Sequence, residues 1–144
     1  MQVFFEQVAT KEEESAVIKA VEKTADIVSA IEMLEGGSGT VFVIKDGARY
    51  LCKISSIYYI ESVDKRTYVY TKDGCYESKS RLYELEEVLG SYFARCSKAM
   101  IVNLRKLKKV ESEFGGRMVA ELLNSERIVI SRSYVKDIKR RLEG

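Results

Sequence analysis

The spacing of hydrophobic positions changes once along the chain, near residue 40. Before that point, apolar residues up to Leu34 recur every three or four positions, which is typical of an amphipathic helix. Thr10 followed by Glu13 matches a helix-start signature, so we predict that the helix begins there. The glycines at 36 and 37 end it. We interpret residues 1–37 as a helical N-terminal arm, separate from the rest of the chain.

From Thr40 onward, apolar and polar positions alternate in short segments, which predicts β-strands. Glycine-containing turns separate several of these segments and predict antiparallel hairpins. These turns are Asp46-Gly47, Lys72-Asp73-Gly74 and Gly115-Gly116. Two stretches return to helical spacing, one after Ser80 and one after Ser131, and either serine can cap its helix. The pattern therefore predicts a mainly β domain with short helices, an α+β fold, over residues 38–144.

Composition narrows the classes of function. The 144 residues include no histidine, which removes the commonest general base and the commonest metal ligand. The three cysteines are widely spaced and form no C-x-x-C pair. No apolar run approaches the roughly 18 residues that a membrane span needs. We expect a cytoplasmic protein with free thiols that is not an enzyme and that uses no metal and no cofactor.

Charge is distributed unevenly. Residues 1–45 hold four basic and eight acidic side chains, a net charge of −4, whereas residues 46–144 hold twenty basic and fourteen acidic, a net charge of +6. The densest cluster is a basic stretch from Phe93 to Lys109, which carries six basic residues and no acidic one. Such a cluster is either a solvated face or a surface for a polyanion. The imbalance predicts that a polyanion would meet the second part of the chain.

Basic residues also stand where one predicted element gives way to the next. They are Lys65-Arg66 in a polar loop from Ser62 to Arg66, Lys98 in the basic stretch, and Arg132 at the start of the last helix. Loops and helix starts on a rigid sheet commonly present binding groups, and a helix N-terminus attracts phosphate. Each site alone also fits an ordinary surface position. The glutamates at 84, 86 and 87 are interpreted as a solvated helix face, and the strand tyrosines as half-buried sheet residues.

The order of four segments resembles the LytTR family of bacterial DNA-binding domains. The segments are SIYYIESVDKRTYVYTKDG (Ser56–Gly74), SRLYELEEVL (Ser80–Leu89), FARCSKAMIVNL (Phe93–Leu104) and ISRSYVKDIKRRL (Ile130–Leu142). The resemblance implies an elongated, mostly antiparallel β fold preceded here by the arm. It also implies a transcriptional regulator that inserts loops at one end into consecutive major grooves of duplex DNA.

The resemblance also assigns residues. It implies DNA contacts from a first loop, a second loop, and the start of the last helix with its following turn. These residues are, in that order, Lys65, Arg66 and Thr67; Arg95 and Lys98; and Arg132, Ser133 and Lys136. Asn103 and Tyr134 match family positions that we expect to be structural. Ser97 and Ala99 depart from the family pattern, which leaves the base preference of the second loop open.

The same resemblance implies partners. It implies operators built of paired repeats, and hence a homodimer or two neighbouring copies, and the chain resembles small regulators that work with a membrane-protein partner. The arm is too short for a receiver domain, so we expect no control by aspartyl phosphorylation. Two alternatives stay open: a protein-interaction module with an incidental basic face, and an RNA-binding β domain that uses the strand tyrosines.

Overall fold

The computed structural model describes residues 1–34 and 39–143. Short 3-10 turns lie at Lys11–Glu13, Ile54–Ser56 and Leu104–Lys106. The helices are α1 (Ala25–Leu34), α2 (Leu82–Leu89) and α3 (Arg132–Glu143). The strands are β1 (Thr40–Lys45), β2 (Ala48–Lys53), β3 (Ile57–Val63), β4 (Arg66–Thr71), β5 (Gly74–Ser78), β6 (Phe93–Ser97), β7 (Met100–Asn103), β8 (Leu107–Ser112), β9 (Met118–Leu122) and β10 (Arg127–Ile130).

The arm is helical only in its second part, α1. The predicted start at Thr10 was wrong. The start signature is formed locally, because the Glu13 carboxylate accepts the backbone N–H of Ala9 and of Thr10, each at 3.0 Å. It closes only a 3-10 turn, and no residue of 1–34 is buried. Without a surface to cover, a short helix does not recover the cost of its first turn. The glycines at 36 and 37 lie outside the described residues.

The strands form two antiparallel sheets. A seven-stranded sheet has the order β2-β1-β5-β4-β3-β7-β6, and a three-stranded sheet has the order β10-β9-β8. The predicted hairpins around residues 46–47, 72–74 and 115–116 are confirmed. In the first of them, Asp46 (φ 50°) and Gly47 (φ 79°) both have left-handed backbone, the geometry that matches the twist of a tight hairpin.

Two hydrophobic cores share strands β3, β6 and β7, because successive side chains of a strand point to opposite faces. Ile101 belongs to the first core and its neighbour Val102 to the second, and both are fully buried. Helix α2 covers the first core, and the three-stranded sheet with α3 covers the second. The order of layers is therefore α2, the large sheet, and then the small sheet with α3.

Asn103 joins the sheet to the turn that comes after it. Its side-chain amide donates to the Ile57 carbonyl at 2.8 Å, and its carbonyl oxygen accepts the Arg105 N–H at 3.0 Å. Only 2% of Asn103 is exposed, so the predicted structural role is confirmed. Tyr134 packs against the second core, as expected. No helix in the described part of the chain is long and apolar enough to cross a membrane.

Candidate nucleic-acid interface

The first candidate element is the turn between β3 and β4. It consists of two residues, Asp64 and Lys65, with φ of 50° and 67°. The longer loop predicted from Ser62 to Arg66 was wrong, because the strands run on until Val63 pairs with Arg66. Lys65 and Arg66 are both exposed at this tip. The short turn fixes the backbone from which both side chains leave.

Thr67 does not belong to that turn. It lies in β4, between Ser62 of β3 and Ser78 of β5 in the strand register. Only 5% of Thr67 is exposed. Its side chain points to the same face of the strand as the side chain of buried Val69. The placement of Thr67 in the first loop was therefore wrong, and its side chain offers almost no surface to a ligand.

The second element is the turn between β6 and β7, at Lys98 and Ala99. The Ser97 hydroxyl accepts the Ala99 N–H at 3.2 Å. The side chain of Arg95 connects this turn to α2. Its Nη1 donates to the Lys98 carbonyl at 2.7 Å. Its Nε lies 2.7 Å from a carboxylate oxygen of Glu86 in α2. The side chain of Arg95 is 23% exposed, whereas Lys98 is exposed at the tip. Glu86 is exposed on α2, as the solvated-face interpretation predicts, and it also pairs with Arg95.

The third element is the start of α3. The Ser131 N–H donates to the Cys96 carbonyl of β6 at 2.8 Å. Near the other end of the helix, Arg141 donates to the Phe93 carbonyl at 3.1 Å. These two anchors lay α3 along β6, with its first turn beside the β6–β7 turn. Arg132, Ser133 and Lys136 are all exposed on this helix.

One hydrogen bond links the first two elements, since the Ser62 N–H donates to the Ala99 carbonyl at 2.8 Å. Together with the Ser131–Cys96 bond, it brings all three elements side by side at one end of the large sheet. We call this surface the basic end. Its residues are Lys65, Arg66, Lys98, Arg132, Ser133 and Lys136. Among residues 1–34 and 39–143, none of its five cations forms an ion pair.

A groove extends the basic end toward the connection between β5 and α2. Its lining adds Lys79 and Arg81 to Lys65 and Arg66, with Glu77 as its acidic residue. Sequence reasoning missed Lys79 and Arg81. They obey the rule that identified the other sites, because basic residues again stand where a strand gives way to a helix.

Cys96 lies in the basic stretch but is not available for chemistry. The thiol is fully buried, and this burial raises its pKa to about 12. The reactive thiolate is therefore scarce at neutral pH. Three of the strand tyrosines also lack an open ring face for a ligand. Tyr58 is buried, and the rings of Tyr59 and Tyr70 stack on each other with centroids 4.3 Å apart.

Comparison with known proteins identifies the family. The family model of the LytTr DNA-binding domain matches residues 47–143. The chain belongs to the LytTR family. The LytTr DNA-binding domain of a proposed methyl-accepting/DNA response regulator from Bacillus cereus superposes with a TM-score of 0.70 at 27% identity, covering 74% of this chain and 98% of that one. The mostly antiparallel β fold with short helices is therefore the LytTR fold, as predicted.

Two relatives have names that describe regulators. The chain is 30% identical over 102 residues to the transcriptional regulatory protein YpdB of Escherichia coli K12, across 69% of this chain and 42% of that protein. It is 30% identical over 124 residues to an uncharacterized HTH-type transcriptional regulator of Staphylococcus aureus strain NCTC 8325, across 86% of this chain and 84% of that one. The chain thus spans about two fifths of the E. coli relative.

Proposed function

We propose that this protein is a transcriptional regulator that binds duplex DNA sequence-specifically through the basic end. The observation that carries the proposal is the convergence of two tight turns and a helix start, each with exposed cations that form no ion pair with a carboxylate of residues 1–34 or 39–143. A cation without an internal partner has no ion pair to break before it meets a phosphate. The family and the regulator names of the relatives support the same conclusion.

The three elements divide the work of binding. Lys98 and Lys65, at the tips of turns, are suited to phosphates, as is Lys136 one turn into α3. Arg132 leaves a backbone that is fixed by the neighbouring Ser131–Cys96 hydrogen bond. Its guanidinium can donate two hydrogen bonds to guanine O6 and N7 in a major groove. In this proposal the turns and the helix start enter consecutive major grooves.

The two alternative functions receive less support. Single-stranded nucleic acid is commonly bound on open aromatic rings, and here Tyr58 is buried while Tyr59 and Tyr70 stack on each other. A protein-interaction module would need an acidic partner surface to match the five cations of the basic end. Duplex DNA, with its regular phosphates, matches the basic end better than either.

We further propose that residues 1–37 form an arm separate from the domain of residues 38–144, and that two copies bind paired repeats as a homodimer or as neighbours. The arm carries no buried residue over 1–34, and residues 1–45 are acidic where the remainder is basic. Deleting residues 1–37 should weaken cooperative binding and leave single-site affinity nearly intact. A membrane-protein partner, implied by the family resemblance, belongs to this proposal, as does the cytoplasmic location expected from the free thiols.

The test is a selection of bound duplexes from random sequence, with titrations of the selected duplex at several salt concentrations. We expect one enriched motif, arranged as a pair, and an affinity that falls steeply with salt. Single strands of the same sequence and a structured RNA should bind far more weakly. Enrichment of no motif, or equal affinity for the single strand, would overturn the proposal.

A further inference from the structure

The turn between β8 and β9 also reaches the basic end. Met118, at the start of β9, pairs with Ile130 at the end of β10, and Arg132 comes two residues later. The turn therefore lies next to the first turn of α3. Its glycines, Gly115 and Gly116, have φ of +88° and +82°.

Gly116 lies directly against the side chain of Arg132. A Cβ built on Gly116 would approach Arg132 Cγ and Cδ at 3.2 Å and Nε at 3.4 Å. The first two separations are closer than carbon atoms pack comfortably. A Cβ on Gly115 would meet nothing within 4 Å. The aliphatic stem of Arg132 thus lies where a Cβ on residue 116 would displace it by a few tenths of an ångström.

We propose that Gly116 is a positioning residue that sets the direction in which Arg132 leaves α3, and thereby the base that Arg132 reads. The inference rests on the proposed function and deepens it. A long arginine side chain loses rotamer freedom when it orders on a ligand. A stem already lying on the β8–β9 turn has lost part of that freedom before DNA arrives, which is preorganisation.

The two glycines provide a matched pair of variants. Both Gly115→Ala and Gly116→Ala place a side chain at strongly positive φ, so both carry a similar backbone strain. Only Gly116→Ala pushes the stem of Arg132 away. Any difference in DNA binding between the two variants therefore reports on Arg132, and their shared loss of stability cancels.

The experiment measures affinity for the selected duplex and for a scrambled duplex. Arg132→Ala should lose about fivefold to 150-fold in specific affinity, the equivalent of one bidentate base contact. Gly116→Ala should lose a substantial part of that, with little change on the scrambled duplex, while Gly115→Ala stays near wild type. In an Arg132→Ala background the two alanine variants should be equal.

The outcomes separate this inference from the proposed function. If wild-type protein does not prefer the selected duplex, the proposed function fails. If Arg132→Ala loses specificity but Gly116→Ala equals Gly115→Ala, the function stands and the positioning role is overturned.

A measurement on the wild-type chain covers the case in which an alanine variant does not fold. NMR should find an ordered Arg132 Nε–H and nuclear Overhauser contacts from Gly116 Hα to the Arg132 stem. Lys98→Arg supplies a comparison arginine at the exposed tip of the β6–β7 turn. Motion of Arg132 as free as that of this tip arginine, without contacts to Gly116, would contradict the proposal.

Discussion

The basic stretch from Phe93 to Lys109 and the basic end differ in what their cations do. In the stretch, five of the six cations have a partner inside the protein: Arg95 pairs with Glu86, Lys108 with Glu121 and Lys109 with Glu111, while Arg105 lies over the ring of Tyr92 and Lys106 over that of Tyr58. Lys98, the sixth, belongs to the basic end. At the basic end, none of the five cations forms an ion pair with a described carboxylate.

A dense run of basic residues in the sequence shows where the cations lie along the chain. It does not show which of them find a partner inside the folded protein. The carboxylates that neutralise Lys108 and Arg95 come from other elements, β9 and α2. An exposed ion pair contributes little to stability, but it lowers the local positive potential that a phosphate would meet. We propose that the functional cations are those gathered at the basic end, where they are exposed and form no ion pair with a described carboxylate. Substitutions at paired and unpaired positions can test that distinction.

The largest effect is expected at Arg132. Replacing it with alanine should cost about 1–3 kcal/mol of binding to the selected duplex and flatten preference at one base position. Lys139→Ala, two turns further along α3, removes the same charge and should weaken all duplexes slightly and equally. Titration of both variants on selected and scrambled duplexes makes the comparison. Equal losses on the two duplexes for Arg132→Ala would leave it a backbone contact.

The second prediction concerns the brace beneath the β6–β7 turn. Glu86→Gln removes a negative charge, so simple electrostatics predicts tighter DNA binding. Because Glu86 holds Arg95, and Arg95 holds the Lys98 carbonyl, we expect weaker binding instead and a loss of about 1 kcal/mol in unfolding free energy. Glu87→Gln is the control, since it removes the same charge from an exposed neighbour. If both variants bind DNA more tightly, the brace has no role in binding.

A smaller effect should distinguish free from paired lysines. Lys98→Ala should weaken binding to every duplex alike and reduce the slope of log affinity against log salt by about one. Lys109→Ala should change neither the affinity nor the salt slope. Lys109 lies 3.2 Å from the Glu111 carboxylate, and it stands in β8, away from the β6–β7 turn. The check is a salt series for each variant. Matching slopes for the two would remove the distinction between free and paired cations.

The smallest effect is expected at Lys65, whose φ of 67° is unusual for a residue other than glycine, asparagine or aspartate. Lys65→Asn should stabilise the fold by roughly 0.5 kcal/mol and weaken DNA binding, because it relieves strain and removes a cation. Lys72→Asn removes the same charge at the opposite end of the sheet and should change neither quantity. Chemical unfolding and DNA titration provide the two readouts. A destabilised Lys65→Asn would argue against the strained turn.

The hairpins could be predicted because their turns are encoded locally, as in Asp46-Gly47. The strands β6 and β7 were not recognised from periodicity. They supply two cores at once, so Ile101 and Val102 are both buried and no alternation is visible. Local signals also mislead when nothing packs against them: Thr10 and Glu13 form their signature without making a helix.

The sequence also predicted only those features of the candidate site that depend on neighbouring residues in the chain. Lys98 and Arg132 stand at changes of secondary structure, which the sequence displays. The internal use of Arg95 could not be foreseen, because its partner Glu86 lies on another element. The burial of Thr67 likewise depends on pairing with two strands. Partners distant in the chain are the information that a local pattern lacks.

The most direct test of the central claim is an NMR titration of the full chain with the selected duplex, observed at the backbone amides. We expect the largest shift changes at residues 64–66, 97–99 and 131–133, with smaller ones at 79–81 along the groove. The amide shifts of residues 108–111, where Lys108 and Lys109 form ion pairs, should not change. Those of residues 72–73, at the opposite end of the sheet, should not change either. Changes concentrated on residues 108–111, with the three elements of the basic end unaffected, would contradict the account.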